Sequence, residues 1–207
     1  MKFENTEVWG FEHAIRGMRN PMNSWDRSDS GYVDKRFNDQ FHIGPHDMKL
    51  MKTLIKAGPE HRKFLRQIFI SVDITAPLYW WKEFDTYKVG TVANSCSTMH
   101  KLKDTPITVD CFEMDDYCGF FETPWKNLIA LLEQCRKEYN ETKDKRYWKE
   151  LIRLLPESWL QKRTVTMSYE NVANMYSQRM NHKLTEWSKD FIQWADSLPY
   201  FKELFTV

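Results

Sequence analysis

Apolar residues recur along this chain with two different periods, which predict strands and helices respectively. Residues 68–74 carry Ile or Val at every second position, which predicts a strand, and 160–167 alternates in the same way. A shorter strand is predicted at Val8–Phe11, and the polar run 23–31 is predicted to form a loop. The predicted strands are therefore separated by long segments that have a helical period.

Helical patterns account for most of those segments. The predicted helices are Asp47–Ile55 with Asp47 as the N-cap, Pro124–Tyr139, Arg146–Leu155 and Leu184–Phe201. The inward-facing residues predicted for the second of these helices are Trp125, Leu128, Leu131, Leu132 and Cys135. Each predicted helix carries an apolar stripe of the kind that packs on a core.

Residues 76–100, with the sequence APLYWWKEFDTYKVGTVANSCSTMH, are the segment around which the other predicted elements are arranged. The segment begins as an aromatic helix opened by Pro77 and ends in a run of hydroxyl, amide and thiol side chains. A packed helix that leads into a polar, glycine-containing loop holds a site rigidly while its contacts stay exposed. A core helix followed by an ordinary loop is the alternative interpretation.

Composition narrows the classes of function. The 207 residues fit one domain, and 30 Lys and Arg against 29 Asp and Glu argue against broad nucleic-acid binding. No apolar run approaches the roughly 18 residues that would span a membrane. The four cysteines lack a CxxC pair or zinc-ligand spacing, so we expect no metal site and reduced, cytoplasmic thiols.

Two small clusters have more than one interpretation. Arg16 and Arg19 form either a solvated surface pair or a grip for a phosphate. His42 and His46 are four residues apart, but the intervening Gly44-Pro45 breaks the helical geometry that a shared metal would need. Neither cluster alone predicts a function.

An arginine lies on the apolar face of the helix that is predicted to begin after Ser168, with Ser168 as its N-cap. Val172, Met175, Tyr176 and Arg179 share this face by their spacing. A guanidinium on an apolar stripe is costly unless it is paired or reaches an anion. An ion pair with a core carboxylate and a role as an anion ligand are therefore equally open for Arg179.

Taken together, the order of these features resembles the flavin-dependent thymidylate synthase family over about residues 8–200. The features that carry the resemblance are HRKFLR at 61–66, a strand, the helix opened by Ala76-Pro77, the polar loop, RLLP at 153–156, a second strand, and a helix with Asn and Arg. The resemblance implies an α/β fold of the α+β type, with a central sheet flanked by helices and a helix-rich C-terminal half. It also implies one domain over residues 1–207 and assembly as a homotetramer.

The same resemblance implies an enzyme that methylates dUMP at C5 with FAD, NADPH and methylenetetrahydrofolate. Counted from Pro156, the family has Asn, Arg, Asn and Arg at the positions that Ser168, Glu170, Asn174 and Arg179 occupy here. By resemblance, Asn174 contacts the flavin and Arg179 polarises the pyrimidine. A guanidinium suits that role because it keeps its charge and presents a planar fork of donors. Glu170 reverses the sign of the expected Arg.

The central motif departs further from the family. Its Arg-His-Arg is Thr86-Tyr87-Lys88 here, its upstream Glu-His is Arg66-Gln67, and the Arg that helps to hold the dUMP phosphate is Thr98. By resemblance, the flavin contacts are Thr86, Tyr87, Lys88, Thr91, Asn94, Asn174 and His61. The corresponding substrate contacts are Glu83, Cys96, Ser97, Thr98 and Arg179.

Cys96 stands where the family has a residue that faces the nucleotide. If Lys88 or Arg179 activates it, its thiolate can attack C6 of a pyrimidine and thereby activate C5; the alternative is a small inert residue in a packed loop. The leading hypothesis is a divergent enzyme that transfers a one-carbon unit to C5 of a pyrimidine nucleotide such as dUMP, with Arg179 and Cys96 as catalytic residues. The other hypothesis is a catalytically altered homologue that serves as a nucleotide-binding, regulatory or protein-interaction module.

Overall fold

The computed structural model of the protein describes residues 1–32, 41–115 and 117–205. Its strands and α-helices follow in the order β1 (Lys2–Trp9), α1 (Phe11–Arg19), β2 (Gly31–Tyr32), β3 (Phe41–His42), α2 (Pro45–Lys56), β4 (Phe69–Pro77), α3 (Leu78–Phe84), β5 (Val92–Ser95), α4 (Thr98–Lys101), α5 (Glu122–Thr142), α6 (Lys145–Leu154), β6 (Leu160–Ser168), α7 (Tyr169–Arg179), α8 (Ile192–Ser197) and α9 (Phe201–Phe205). A 3₁₀ turn at Lys63–Gln67 precedes β4, and another at Asp85–Tyr87 follows α3.

Four of the strands form one sheet in the order β1-β4-β6-β5, and β2 pairs with β3 in a separate antiparallel ribbon. The two predicted strands at 68–74 and 160–167 are confirmed as β4 and β6. In β4, Ile70, Val72 and Ile74 are fully buried, as their alternation requires. The predicted α/β fold of the α+β type is confirmed.

The chain divides into two compact units. Unit 1 comprises residues 1–2, 73–86 and 93–164, and unit 2 comprises residues 3–72, 87–92 and 165–207. Strands β4 and β6 contribute residues to both units. The single domain implied by the resemblance stays a prediction.

Aromatic side chains fill the core of unit 2. The ring of Tyr169 is fully buried, with its centroid 5.6 Å from that of Phe11 and 5.7 Å from that of Phe201. Its hydroxyl donates to the Pro199 carbonyl at 2.7 Å, and burial raises the pKa of Tyr169. These contacts fix the start of α7 against α1 and α9.

The core of unit 1 has two parts. Trp80, Trp81 and Phe84 of α3 are buried and pack against one another, with the stacked Trp80 and Phe84 centroids 5.2 Å apart. A second cluster of buried residues joins α5 and α6 to the segment before them: Leu102, Ile107, Phe112, Leu132, Cys135 and Leu151.

Several predicted boundaries are wrong. The first strand is Lys2–Trp9, and Phe11 begins α1 instead of ending the strand. The turn between them needs Gly10, whose φ is +97° and whose Cβ would lie 2.2 Å from the Gln67 carbonyl oxygen. Within 23–31, Trp25–Arg27 forms a 3₁₀ turn and Gly31 opens β2.

Two predicted helices also differ from the structure. Asp47 does not cap α2, which begins at Pro45 after Gly44; it is buried within the first turn. The predicted helix Leu184–Phe201 is instead a π-helical turn at Glu186–Phe191 followed by α8. This helix ends before Leu198, which is extended, and α9 follows. Leu131 of α5 is 49% exposed and does not face inward.

Arg19 belongs neither to a solvated pair nor to a phosphate grip, because it is buried and its Nε donates to Asp47 Oδ1 at 2.6 Å. Arg16 stays exposed and contacts His13 Nδ1 at 3.0 Å. Within the described ranges, no helix is long and apolar enough to cross a membrane. Nor do His, Cys, Asp and Glu side chains there form a group that could hold a metal ion.

Candidate functional site

Helix α7 places two of the predicted site residues, Asn174 and Arg179, in unit 2. Its start is fixed by Ser168, confirmed as the N-cap: Ser168 Oγ accepts from the Asn171 amide, and Asn171 Oδ1 accepts from the Ser168 amide at 3.0 Å. This reciprocal capping box satisfies donors that a helix terminus would otherwise leave open. The register of α7 is therefore locked at its first turn.

Arg179 ends α7 and is half-buried beside two aromatic rings, those of Tyr87 and Trp187, whose centroids lie 6.2 Å apart. Its guanidinium carbon lies 5.3 Å from the ring centroid of Tyr87 and 5.0 Å from that of Trp187. The Tyr87 hydroxyl donates to Gln178 Oε1 at 3.0 Å, which holds its ring against the end of α7. Because aromatic faces attract a cation, this setting stabilises the charged guanidinium on the otherwise apolar face.

The loop 87–92 carries three predicted cofactor contacts, Tyr87, Lys88 and Thr91. Asn171 Nδ2 donates to the Val89 carbonyl at 2.9 Å, and this bond ties the loop to α7. The Thr91 amide and hydroxyl both point to the Lys88 carbonyl, at 3.0 and 3.1 Å, closing a turn that leaves Lys88 exposed. The turn therefore exposes the ammonium group of Lys88, whereas the Thr91 hydroxyl already donates its proton to the Lys88 carbonyl.

Asn174, the predicted flavin contact of α7, belongs to a network that sequence reasoning missed. Arg62 Nη2 donates to Asn174 Oδ1 at 3.0 Å, and Arg62 Nε lies 3.5 Å from Glu170 Oε1. Arg66 Nε donates to the other oxygen of the Glu170 carboxylate. His61, the remaining predicted contact in unit 2, is exposed.

The Arg66–Glu170 pair gives the reversed charge at Glu170 a structural reason. Where the resemblance leads us to expect Glu and Arg, this chain has Arg66 and Glu170, and the two side chains form an ion pair. The Glu170 bond raises the pKa of the Arg66 guanidinium. Two sign changes thus compensate each other, and the carboxylate of Glu170, only 9% exposed, is not left without a cation.

In unit 1, the remaining predicted residues follow α3 and β5. Part of the predicted polar loop is strand β5, which ends at Ser95. The Cys96 amide donates to the Lys162 carbonyl at 2.9 Å, and its carbonyl accepts from Gln161 Nε2 at 3.0 Å. These two hydrogen bonds hold the backbone of Cys96 in place. The residue itself is exposed and does not lie in a packed loop.

Neighbouring polar residues of unit 1 are already engaged within the fold. Ser97 caps α4 by accepting from the His100 amide at 3.3 Å, and Thr98 Oγ1 lies 3.3 Å from Gln161 Nε2. Thr86 Oγ1 donates to the Glu83 carbonyl at 2.7 Å, and Asn94 lies in the exposed strand β5.

Sequence reasoning also missed Arg163 of β6. Its guanidinium carbon lies 4.2 Å from the Trp81 ring centroid, and its Nη1 donates to Asp85 Oδ1 at 3.0 Å. Arg163 is a middle residue of β6, at a position that the alternation of the strand places on the same side as the buried Val165 and Met167. The contact could not be predicted because Trp81 and Asp85 are about eighty residues away along the chain.

The predicted site residues thus fall into two sets. Tyr87 and Arg179 contact each other in unit 2, where Lys88 and Thr91 share one turn and Asn174 contacts Arg62. Cys96 and Thr98 in unit 1 share Gln161 as a hydrogen-bond partner.

Comparisons with known proteins identify the fold. No protein-family model matches the chain, and no curated protein matches it in sequence. Two crystal structures of the flavin-dependent thymidylate synthase ThyX from Helicobacter pylori, each with FAD and dUMP, match it with TM-scores of 0.75 and 16% identity. Each match covers 100% of this chain and 98% of the other. The chain therefore has a flavin-dependent thymidylate synthase-like fold, as the resemblance implied.

Proposed function

We propose that this protein is a divergent flavin-dependent thymidylate synthase-like enzyme that transfers a one-carbon unit, as methyl, to C5 of a pyrimidine nucleotide such as dUMP. The observation that carries the proposal is Arg179, which occupies the family's register on α7 and lies against the rings of Tyr87 and Trp187. The fold supports the proposal, because the similar structures contain FAD and dUMP.

Arg179 has a direct chemical role in this proposal. Its guanidinium donates to a carbonyl oxygen of the pyrimidine and stabilises negative charge that develops there when C5 becomes nucleophilic. The contacts with both rings place the guanidinium before the nucleotide binds, which limits the reorganisation that accompanies the charge development.

The side chains of unit 2 offer the kinds of group that would hold a flavin. Lys88 offers an exposed cation for a phosphate, and the Asn174 amide offers a hydrogen-bonding group for a ring; Tyr87, Thr91 and His61 complete the proposed contacts there. In unit 1, Thr86 and Asn94 are proposed as further contacts. Bound FAD would supply the redox step, with NADPH as reductant and methylenetetrahydrofolate as one-carbon donor. The homotetramer implied by the resemblance is part of the proposal.

Cys96 is proposed as a nucleophile toward C6. Its thiolate adds to C6 while the C5–C6 electron pair moves toward C5 and the C4 carbonyl. C5 then bonds to the methylene carbon of the donor as one of that carbon's two C–N bonds breaks; C5 loses its proton, the C6–S bond breaks and the thiolate leaves. The second C–N bond would break when the methylene group is reduced to methyl, with tetrahydrofolate as the leaving group and NADPH as the source of the hydride. Glu83, Ser97 and Thr98 are the other proposed substrate contacts in unit 1. The exposed position of Cys96 supports this role.

A second candidate function is a nucleotide-binding or protein-interaction module without turnover. Thr98, which replaces the expected phosphate-binding Arg, lies at the start of α4 beside Gln161 and brings no charge. Each charged hydrogen bond that is lost at an anion site costs about 1.5–3 kcal/mol of binding free energy. This observation favours weaker or altered nucleotide binding.

The visible absorption spectrum after incubation with FAD and removal of the excess tests the enzyme proposal, followed by NADPH oxidation with and without dUMP. We expect a retained flavin band and oxidation that increases when dUMP is added. Cys96→Ser should abolish the dUMP-dependent part, whereas Cys118→Ser, which alters another exposed thiol, should leave it unchanged. A colourless protein without dUMP-dependent oxidation would support the binding module instead.

A further inference from the structure

The contact between Arg62 and Asn174 fixes the orientation of an amide. A guanidinium carries only donors, so the atom of Asn174 that faces Arg62 Nη2 at 3.0 Å must be the amide oxygen. The Nδ2 group of Asn174, with its two donors, therefore points away from Arg62. Without Arg62, either end of the amide could take the outward position.

Arg62 is itself held in place. Its Nε lies 3.5 Å from the buried carboxylate of Glu170, and Arg66 donates to the other carboxylate oxygen. Two cations thus share one anion, and Arg66 is the more exposed of the two. Glu170 orients the Arg62 guanidinium, and Arg62 in turn orients the Asn174 amide.

We propose that Arg62 is a positioning residue that sets Asn174 to present hydrogen-bond donors to its ligand, so that position 174 selects an acceptor atom such as a ring nitrogen or a carbonyl oxygen of a planar heterocycle. The inference rests on the proposed function for the identity of that ligand, the flavin. Arg62 acts through Asn174, because Nη2 is engaged with Asn174 and Nε faces Glu170.

The first half of the test uses the protein without ligand. Thermal unfolding is measured for wild type, Arg62→Met, Asn174→Asp and the double variant, with Lys63→Met as a matched control at an exposed neighbour. An aspartate at 174 can accept from Arg62 and gains a charge partner, so Asn174→Asp alone should leave Tm unchanged or raised. In the Arg62→Met background the same change should lower Tm, which gives a coupling of about 3 °C or more.

The second half measures FAD affinity by titration. Asn174→Asp replaces the outward donors with an acceptor, so it should weaken FAD binding at least about tenfold although the fold is intact. Arg62→Met should weaken binding less, and it should add almost nothing in the Asn174→Asp background, since Arg62 acts through the amide. Lys63→Met should change neither measurement.

Each failure has a separate meaning. Additive Tm changes in the ligand-free variants would overturn the positioning role whatever the protein binds. Coupled Tm changes with unaltered FAD affinity in Asn174→Asp would overturn the presentation of donors to the ligand. A wild type that binds no FAD would overturn the proposed function and the ligand-facing part of the inference, while coupled Tm values would still support the orientation of the amide by Arg62.

Discussion

Asp47 illustrates how a buried charge is accommodated in this protein. Its carboxylate accepts from Arg19 at 2.6 Å, from the hydroxyls of Ser28 and Ser30 at 2.7 Å each, and from the Asp29 amide at 3.1 Å. Burial would raise the pKa of Asp47, but the hydrogen bonds from both serines and Arg19 outweigh it and lower that pKa. The loop after α1 is thereby tied to α2.

Asp47→Asn should lower the free energy of unfolding by about 3–5 kcal/mol, because it leaves the buried Arg19 without its anion. Urea unfolding at neutral pH measures this change. Since the folded-state pKa is depressed, the stabilisation by Asp47 is present above the ordinary carboxyl range and is lost as the pH falls below it. Asp26→Asn, at an exposed position of the same loop, should leave the urea unfolding transition unchanged. An equal loss of stability in that variant would contradict the assignment of the stabilisation to Asp47.

The aromatic contacts of Arg179 lead to a second prediction. Tyr87→Leu removes a ring that faces the guanidinium, so dUMP affinity should fall several-fold, in line with the ~0.5–2 kcal/mol of a cation–π contact. Tyr87→Phe keeps the ring and loses only the bond to Gln178, so it should retain most of the affinity. Calorimetric titration of both variants distinguishes the ring from the hydroxyl, and equal losses would contradict the role of the ring.

At the scale of elements, the carboxylate of Glu133 adds a polar link between α5 and the segment before it to the apolar cluster that joins them. Glu133 accepts from Arg136 through both oxygens, at 2.7 Å each, and from the Ile107 amide at 2.9 Å. Arg136 also donates to the Lys103 carbonyl at 3.0 Å. The Arg136 hydrogen bonds lower the pKa of Glu133 to about 2 in spite of partial burial.

Glu133→Gln should therefore lower the free energy of unfolding by about 2 kcal/mol at pH 7. The depressed pKa means that the stabilisation is complete above the ordinary value of about 4.5 and is lost as the pH falls from there toward about 2. Chemical unfolding across that range should show a steeper decline for wild type than for Glu133→Gln. The exposed Glu141→Gln on the same helix should follow wild type, and parallel curves for all three proteins would refute the prediction.

The predictability of the elements follows from the range of the forces that shape them. The period of β4 and the Ser168 cap are local, so the sequence predicted both. The position of Asp47 was predicted wrongly because its preference for an N-cap was overridden by a distant partner, Arg19. The break before α9 coincides with Pro199, a local signal that the apolar period of 184–201 obscured.

At the scale of the whole molecule, the fold was predictable from order and spacing, although no family model matches the sequence. A fold tolerates extensive replacement when the apolar pattern is kept, which is consistent with 16% identity at a TM-score of 0.75. The network of Arg62 and Glu170 was not predictable, because it joins residues more than a hundred positions apart. The overall charge of +1 likewise gave no indication of where individual cations lie.

The most direct test of the proposed nucleotide site is the titration of dUMP into wild type, Arg179→Ala and Arg153→Ala. Arg153 is an exposed arginine of α6 that forms an ion pair with Glu150, so it serves as the matched control. We predict that wild type and Arg153→Ala bind dUMP with equal affinity, and that Arg179→Ala binds at least about tenfold more weakly. No binding by wild type, or equal binding by all three proteins, would contradict a pyrimidine nucleotide site at Arg179.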